Sequence, residues 1–476
     1  MTFAVLAVSV ASYTLMQSLT VPVLSEIEVV FDTDQNTATW VLTAYLLSAS
    51  IFTPIMGRLG DTFGKQRMLV ISLAALSVGS LIAALAPSIG VLLLARIVQG
   101  MGGGVLPLAF GIIRDEFPRH KIGGAVSVIS SLLAVGFGTG IVLAGPLTSS
   151  LGFRWLFWLP FIVTAIAAVV AVLVVPESPV RTPGRISILP ALLLSGWLVA
   201  LLVGLSEAPK WGWGSPRIIG LLVLAAIILA VWIRVETRVA TPLIDMKMMR
   251  LPGVWTTNLV ALLVGVGMYA SFGFLPQFNQ TPSSSGYGFG SSITESGLML
   301  LPGAVVTFLV GLIAAPVASR IGAKTVVVFG SALGGVGMFL LAAFHDEKWQ
   351  VIGSNIVTSA GIGLAFACLA GLIVAAVTPE QTGVASGMNA NIRTIGGSIG
   401  TAVMGSIVTA HFLPDGFPKE IGYTAGFAVL GGALLAAAVA GLAIPTVSPE
   451  ELEERLEMDP ADGPVVRDDE LSAART

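Results

Sequence analysis

The chain has 476 residues, of which 55% are hydrophobic and only 11% are charged, whereas a soluble domain carries about 25% charged residues. This composition excludes an ordinary soluble protein. It predicts an all-α polytopic membrane protein, because a membrane span needs about 20 apolar residues and such runs recur along the chain. The net charge of −3, without a basic face of interleaved aromatic residues, argues against a nucleic-acid partner. The one cysteine, Cys368, cannot form an internal disulfide.

Fourteen apolar stretches are predicted to cross the membrane as helices. Lys and Arg in the segments between them are unevenly distributed, with fourteen on one side of the membrane and five on the other. Because cytoplasmic loops carry the excess of Lys and Arg, we expect both termini in the cytoplasm. The predicted spans cover residues 3–24, 38–57, 68–86, 91–113, 122–147, 155–175, 187–206, 217–235, 253–278, 295–318, 324–344, 351–377, 383–411 and 422–444.

An internal repeat divides these spans into two sets of six. The segment 57–68 aligns with 315–326, so that Gly64 falls on Gly322. The two spans left between the sets contain few polar residues, and we expect them to pack outside the two six-helix bundles. The residues from 446 onwards are mostly acidic and are expected to form a disordered cytoplasmic tail. The predicted domains are a first bundle (1–176), a linker with the two extra helices (177–250), a second bundle (251–445) and the tail (446–476).

A polar stretch between the second and third spans reads Gly57-Arg-Leu-Gly-Asp-Thr-Phe-Gly-Lys-Gln-Arg67. Its glycines favour a tight turn, and its cations mark a cytoplasmic loop. The pattern G-R-L-G-D-x-x-G-K-x-R resembles the loop between helices 2 and 3 of the major facilitator superfamily; the alternative is an ordinary basic loop. The resemblance implies the major facilitator fold, which consists of two six-helix bundles. In this chain two extra helices are expected between the bundles. We expect Asp61 to latch the cytoplasmic side by binding Arg58 or the first turn of a facing helix, and we assign conformational roles to Gly57, Asp61, Gly64 and Arg67.

Three further motifs lie in the first half of the chain. The run Leu94-Ala-Arg-Ile-Val-Gln-Gly resembles the fourth-helix motif of the same superfamily and places Arg96 and Gln99 on one helix face. The stretch 136–146 partly resembles the fifth-helix antiporter motif and ends in Gly145-Pro146, to which we also assign a conformational role. In the first span, Met16 stands where drug-exporting relatives carry an acid.

The second half supplies more polar residues within apolar runs. Two stretches, 294–303 and 382–400, resemble helices ten and thirteen of the fourteen-helix drug:proton antiporter branch, and Asn389 and Arg393 share a helix face in the second. We expect Arg96 and Arg393 to point into a central cavity, because a charge inside a membrane bundle faces the interior or water. Glu295 is a candidate proton carrier; the alternative is a solvated glutamate at a helix start. The full set of candidate cavity residues is Gln17, Tyr45, Arg96, Gln99, Asn258, Tyr269, Asn355, Asn389 and Arg393.

The resemblance implies a secondary active transporter in a bacterial inner or plasma membrane, which exports amphipathic small molecules by alternating access and is coupled to the proton gradient. The alternatives are a transporter of a lipid or lipid-linked metabolite, and a non-transporting membrane sensor. No ATP-binding motif occurs, and the three histidines lack metal-ligand spacing, so we expect no enzyme, cofactor or metal site. The expected partners are the substrate, the proton gradient and the lipid bilayer, and no oligomer is required.

Overall fold

The computed structural model describes residues 1–33, 35–178, 188–239, 242–377, 381–410, 413 and 417–445. The predicted acidic tail, 446–476, lies outside these residues. Eight helices form the first part of the chain, which we call the N-terminal helices. Their bounds are α1 Thr2–Leu19, α2 Leu24–Phe31, α3 Gln35–Phe63, α4 Lys65–Ala84, α5 Ile89–Gly100, α6 Val105–Glu116, α7 Arg119–Leu151 and α8 Trp155–Val174.

Three helices follow in the middle of the chain: α9 Ile188–Trp211, α10 Pro216–Glu236 and the short α11 Met246–Met249. The last six are the C-terminal helices, α12 Pro252–Gln280, α13 Ile293–Ile321, α14 Ala323–Ala343, α15 Lys348–Ala376, α16 Thr382–Val408 and α17 Glu420–Gly441.

Twelve helical segments of the described chain are long and apolar enough to cross a membrane. The all-α membrane fold is therefore confirmed. Two other long helices, α7 with 33 residues and α16 with 27, occupy the places of further predicted spans but are not among the twelve. The number of fourteen spans stays a prediction.

The polar stretch 57–67 is not the loop that its composition predicts. Helix α3 continues to Phe63 and α4 begins at Lys65, so Gly64 alone separates them, with φ 115°. Gly322, with φ 87°, separates α13 from α14 in the same way. These backbone conformations are open to glycine and strained for other residues. The predicted alignment of Gly64 with Gly322 is thus confirmed in the structure.

The predicted span 91–113 is also interrupted. Residues Met101–Gly104 form a single 3₁₀ turn between α5 and α6. Glycine stabilises an α-helix poorly, and here it also permits close packing. A Cβ on Gly103 would lie 2.8 Å from the carbonyl oxygen of Ala49 on α3. The glycines at this turn therefore bring the α5–α6 segment directly against α3.

The two helix groups meet along a seam. Helix α7 packs against α13 and α15, and α16 packs against α3 and α6. Helices α9 and α10 pack against each other, and α9 also contacts α3 and α16 at one side of the seam. The indole N–H of Trp40 on α3 donates to Glu207 on α9 at 2.6 Å, which ties this pair to the N-terminal helices.

We expect three glycine-to-alanine substitutions to rank by strain. Gly64→Ala is the most destabilising, because it adds backbone strain of about 1–3 kcal/mol and places a Cβ 2.5 Å from the Glu177 carboxylate. Gly322→Ala adds strain but meets only Thr325 Oγ1, at 3.9 Å. Gly220→Ala, on the exposed side of α10, is the control and leaves stability unchanged or slightly higher. Thermal unfolding in detergent measures the order, and equal unfolding temperatures for Gly64→Ala and Gly220→Ala would contradict it.

Candidate functional site

A cavity lies at the seam between the N-terminal and C-terminal helices. It contains about 1270 Å³ of space free of protein atoms, including its open part. Its walls come from four helices of each group, α1, α3, α6 and α7 on one side and α12, α13, α15 and α16 on the other, with Gly103 of the 3₁₀ turn. Apolar residues are the majority, and the described lining also includes nine residues with a hydroxyl group and two with an amide. This is the usual make-up of a small-molecule site.

Aromatic rings form much of the cavity wall. Phe137 of α7 stacks on Phe272 of α12 across the seam, with ring centroids 4.5 Å apart and planes inclined by 27°. Tyr13, Tyr269 and Phe366 also line the space. The Phe137–Phe272 stack joins the two groups, so any separation of the groups at this level alters the cavity.

Arg393 is the one charged residue among those that line the cavity in the described chain. Its guanidinium carbon lies 4.3 Å from the ring centroid of Phe366, and its side chain is buried. The Nε atom has no hydrogen-bond partner among the described residues. A buried guanidinium N–H without an acceptor is costly, so Arg393 carries an unsatisfied donor in the wall of the cavity.

Small residues hold the Arg393 backbone in place. Gly265 of α12 lies so close to the carbonyl group of Arg393 that a Cβ there has no room, and Gly396 and Gly400 approach α12 in the same way. Nearby, Asn389 Nδ2 donates to Asn258 Oδ1 at 2.9 Å, which links α16 to α12 by side chains. The glycine spacing on α16 therefore fixes the depth at which Arg393 enters the cavity.

Arg96 lies elsewhere, within the N-terminal helices. Its Nε donates to the carbonyl oxygen of Val41 at 2.9 Å, Nη1 to Gln99 Oε1 at 2.8 Å, and Nη2 to Thr20 Oγ1 at 3.4 Å. Its guanidinium carbon is 4.4 Å from the ring centroid of Tyr45. The expectation that Arg96 also faces the cavity is not met, because α1, α3 and α5 already satisfy it.

Four of the predicted cavity residues line the cavity: Gln17, Tyr269, Asn355 and Arg393. The other five are absent from its described lining. They belong to the Arg96 network or to the asparagine pair between α12 and α16, and they are Tyr45, Arg96, Gln99, Asn258 and Asn389.

Glu295, the predicted proton carrier, lies in the first turn of α13 and forms an ion pair with Lys348. Both side chains are 46% exposed, and neither residue lines the cavity. This placement matches the alternative, a solvated glutamate at a helix start.

The two helix groups also touch at both ends of the cavity. Near the end of α7, a Cβ on Gly145 would lie 2.6 Å from Cα of Thr294 on α13, and one on Gly297 would lie 3.0 Å from the carbonyl oxygen of Ile141. At the opposite end, Arg114 on α6 donates to Thr382 at the start of α16. The first contact brings backbones together, whereas the second joins side chains. Pro146 lies within α7 beside Gly145.

Asp61 belongs to a charged cluster at the end of α3. Lys65 Nζ is 3.7 Å from Asp61 Oδ1 and 2.6 Å from Asp115 Oδ2, and all three side chains are largely buried. Asp61 Oδ2 has no hydrogen-bond partner among the described residues. Among the described residues, Asp61 forms its ion pair with Lys65 in its own group, and the expected bond to a helix of the other group is not seen.

The neighbouring motif residues complete this end of the N-terminal helices. Glu177, just after α8, accepts a hydrogen bond from the backbone N–H of Gln66 at 3.2 Å and lies 3.6 Å from Arg67 Nε. Gly64 leaves the space that the Glu177 carboxylate occupies, and Gly57 lies within α3. These contacts therefore link α3, α4, α6 and the segment just after α8.

Sequence reasoning missed three residues that contribute to the cavity or to its surroundings: Tyr13, Glu207 and Phe366. Tyr13 lines the cavity one helical turn before Gln17, a spacing that places both on one face of α1. Glu207 is a buried acid in the extra helix pair, bonded to Trp40. Its position near the end of an apolar run made it look like part of a loop. Phe366 gave no signal, because an aromatic residue in an apolar helix is ordinary.

The fold and the cavity define a polytopic membrane protein whose two helix groups enclose a binding space. A family model described as Major Facilitator Superfamily matches residues 6–401 and, in a second match, residues 257–467. The chain belongs to the Major Facilitator Superfamily and is a membrane transporter of that family.

Relatives of known name cover most of the chain. It is 30% identical over 393 residues to a multidrug resistance protein B homolog of Mycobacterium tuberculosis, spanning 80% of this chain and 71% of the relative. It is 27% identical over 385 residues to the tetracenomycin C resistance and export protein of Streptomyces glaucescens, spanning 80% and 70%.

Solved structures share the fold. A human organic anion transporter superposes with a TM-score of 0.65 at 15% identity, over 92% of this chain and 98% of that one. An auto-inhibited peptide transporter of the POT family superposes with a TM-score of 0.66 at 15% identity, over 94% and 98%. At this identity the likeness shows the fold alone.

We expect the two buried arginines to differ in their effect on stability. Arg96→Met leaves the Val41 carbonyl and the Gln99 side chain without their partner, at a cost of about 2 kcal/mol or more. Arg393→Met removes a cation whose Nε is already unpaired and costs less than about 1 kcal/mol. Unfolding temperatures in detergent compare the two, and equal losses would show that the Arg96 network stabilises the protein no more than Arg393 does.

A larger residue at Gly145 should keep one end of the cavity from closing. Gly145→Val forces α7 away from the Thr294 backbone, so we expect transport to fall at least tenfold while folded protein remains. Gly124→Val is a control on the same helix, since no described atom lies within 4 Å of a Cβ there. Thiol labelling of a cysteine near this end, in a Cys368→Ala background, should rise in Gly145→Val. Unchanged labelling and transport would mean that this contact has no part in closure.

Proposed function

We propose that this protein is a secondary active exporter of amphipathic small molecules that works by alternating access. The observation that carries the proposal is the cavity at the seam, walled by four helices from each group. A ligand held there contacts both groups at once. Its binding free energy therefore differs between arrangements of the two groups, which is what coupling between binding and conformation requires.

The contacts at the two ends of the cavity support this mechanism. One end is held by the close backbone approach at Gly145 and Gly297, and the other by the Arg114–Thr382 bond. One end of the cavity can open while the other stays closed if one helix group moves as a rigid body against the other. In this proposal Gly57, Asp61, Gly64, Arg67, Gly145 and Pro146 serve the movement, and Gln17, Tyr269, Asn355 and Arg393 contact the substrate.

Export and amphipathic substrates are proposed from the cavity lining and from the names of the relatives. The wall is mostly apolar and partly aromatic, which suits an amphipathic body, and two relatives carry names of drug resistance or export. Coupling to protons and fourteen spans with both termini in the cytoplasm are proposed from the sequence.

Filling the cavity should abolish transport without unfolding the protein. Ala390→Trp places an indole in the lining, so we expect energised vesicles containing this variant to transport amphipathic dyes no faster than empty vesicles. Ala226→Trp, on the exposed side of α10, is the matched control and should transport normally. Nigericin, which removes the pH difference, should stop transport by the unaltered protein. Normal transport by Ala390→Trp would refute the role of the cavity, and transport unaffected by nigericin would refute proton coupling.

A further inference from the structure

The described lining of the cavity carries positive charge only, from Arg393. Among the described residues that line it, Arg393 is ionised, and the remaining polar groups are the amides of Gln17 and Asn355 and the hydroxyls of tyrosine, serine and threonine. No aspartate, glutamate, lysine or histidine is among these lining residues. A cation alone in an apolar cavity creates a positive potential, because the low dielectric around it screens it weakly.

The contacts of Arg393 leave part of its hydrogen-bonding capacity unused. The Phe366 ring covers one face of the guanidinium, while Nε has no acceptor among the described residues. Arg96 is the internal comparison, since each of its three guanidinium nitrogens donates to a protein oxygen. The fold therefore gives each guanidinium nitrogen of Arg96 a protein acceptor and leaves Arg393 Nε without one in the wall of the cavity.

We infer that the substrates of this transporter are amphipathic organic anions, whose carboxylate, phenolate or sulfonate group is bound by Arg393. The inference rests on the proposed export function and names its substrate class. The oxygen atoms of each of these groups accept hydrogen bonds from the guanidinium, and a planar carboxylate can accept two parallel ones. The aromatic body of such a compound packs against the wall that contains Phe137 and Phe272.

A cationic substrate is disfavoured by the same geometry. It would enter a weakly screened cavity that already holds a positive charge, with no carboxylate in the described lining to balance either charge. A neutral substrate with a carbonyl or ether oxygen can accept a hydrogen bond from Arg393 but leaves its charge unbalanced. An anion both neutralises the cation and supplies the acceptor.

The test uses two dyes with the same xanthene ring system and opposite charge, fluorescein and rhodamine 123. Their binding to the purified full chain in detergent is measured by fluorescence anisotropy at neutral to mildly alkaline pH. We expect fluorescein to bind at least tenfold more tightly than rhodamine 123. Arg393→Gln should weaken fluorescein at least tenfold and leave rhodamine 123 unchanged or tighter, whereas Arg393→Lys should retain part of the preference. Arg217→Gln, which removes an arginine next to Trp211 outside the cavity, is the control and should change neither dye.

If wild type binds rhodamine 123 as tightly as fluorescein, or if neither dye binds, the inference is overturned. If Arg393→Gln does not fold, competition on the unaltered protein decides: benzoate should displace fluorescein and benzylammonium should not, and the reverse would overturn the inference. Transport in energised vesicles separates the two proposals. Transport of rhodamine 123 but not fluorescein refutes the substrate class and keeps export, whereas fluorescein binding without transport keeps the anion site and refutes export.

Discussion

A charge inside a membrane bundle must obtain its hydrogen bonds from the protein, from water in a cavity or from a ligand, since lipid supplies none. The two buried arginines meet this constraint differently. Arg96 is surrounded by Val41, Gln99 and Thr20 and ties α1, α3 and α5 together. Arg393 is held at the seam by glycine-mediated packing of α16 on α12, with Nε unpaired. The first arginine stabilises one helix group, and the second gives the cavity between the groups its charge.

The polarity of the cavity bears on the driving force for export. Met16, which stands where the resemblance led us to expect an acid in the first helix, is fully buried beside Ser80. An exported cation moves outward against an inside-negative potential. For an anion the same potential acts outward and contributes about 2.3 kcal/mol per charge per 100 mV. An arginine as the one charged residue in the described cavity lining is therefore consistent with the proposed export of anions.

Much of the fold follows from patterns that depend on few residues. Apolar run lengths predicted the long helices, and the repeat predicted that Gly64 and Gly322 occupy equivalent places. The predictions that were wrong concerned residues whose structure depends on contacts with residues distant in sequence. Composition made 57–67 look like a loop, although only Gly64 leaves the helix, because Lys65 and Asp115 meet in the folded chain and make a polar helix end tolerable. Likewise, the sequence around a buried arginine does not show whether the protein supplies its hydrogen-bond partners. The difference between Arg96 and Arg393 therefore emerged only from the structure.

The central claim is that the two helix groups enclose one cavity and open it alternately at its two ends. Distances between spin labels test this most directly, in a Cys368→Ala background. One pair, Ser150→Cys with Ser284→Cys, reports on the end near Gly145, and another, Glu116→Cys with Ser319→Cys, reports on the end near Arg114. The account predicts that substrate or a change in pH lengthens one distance while it shortens the other. Two distances that stay constant, or that lengthen together, would contradict it.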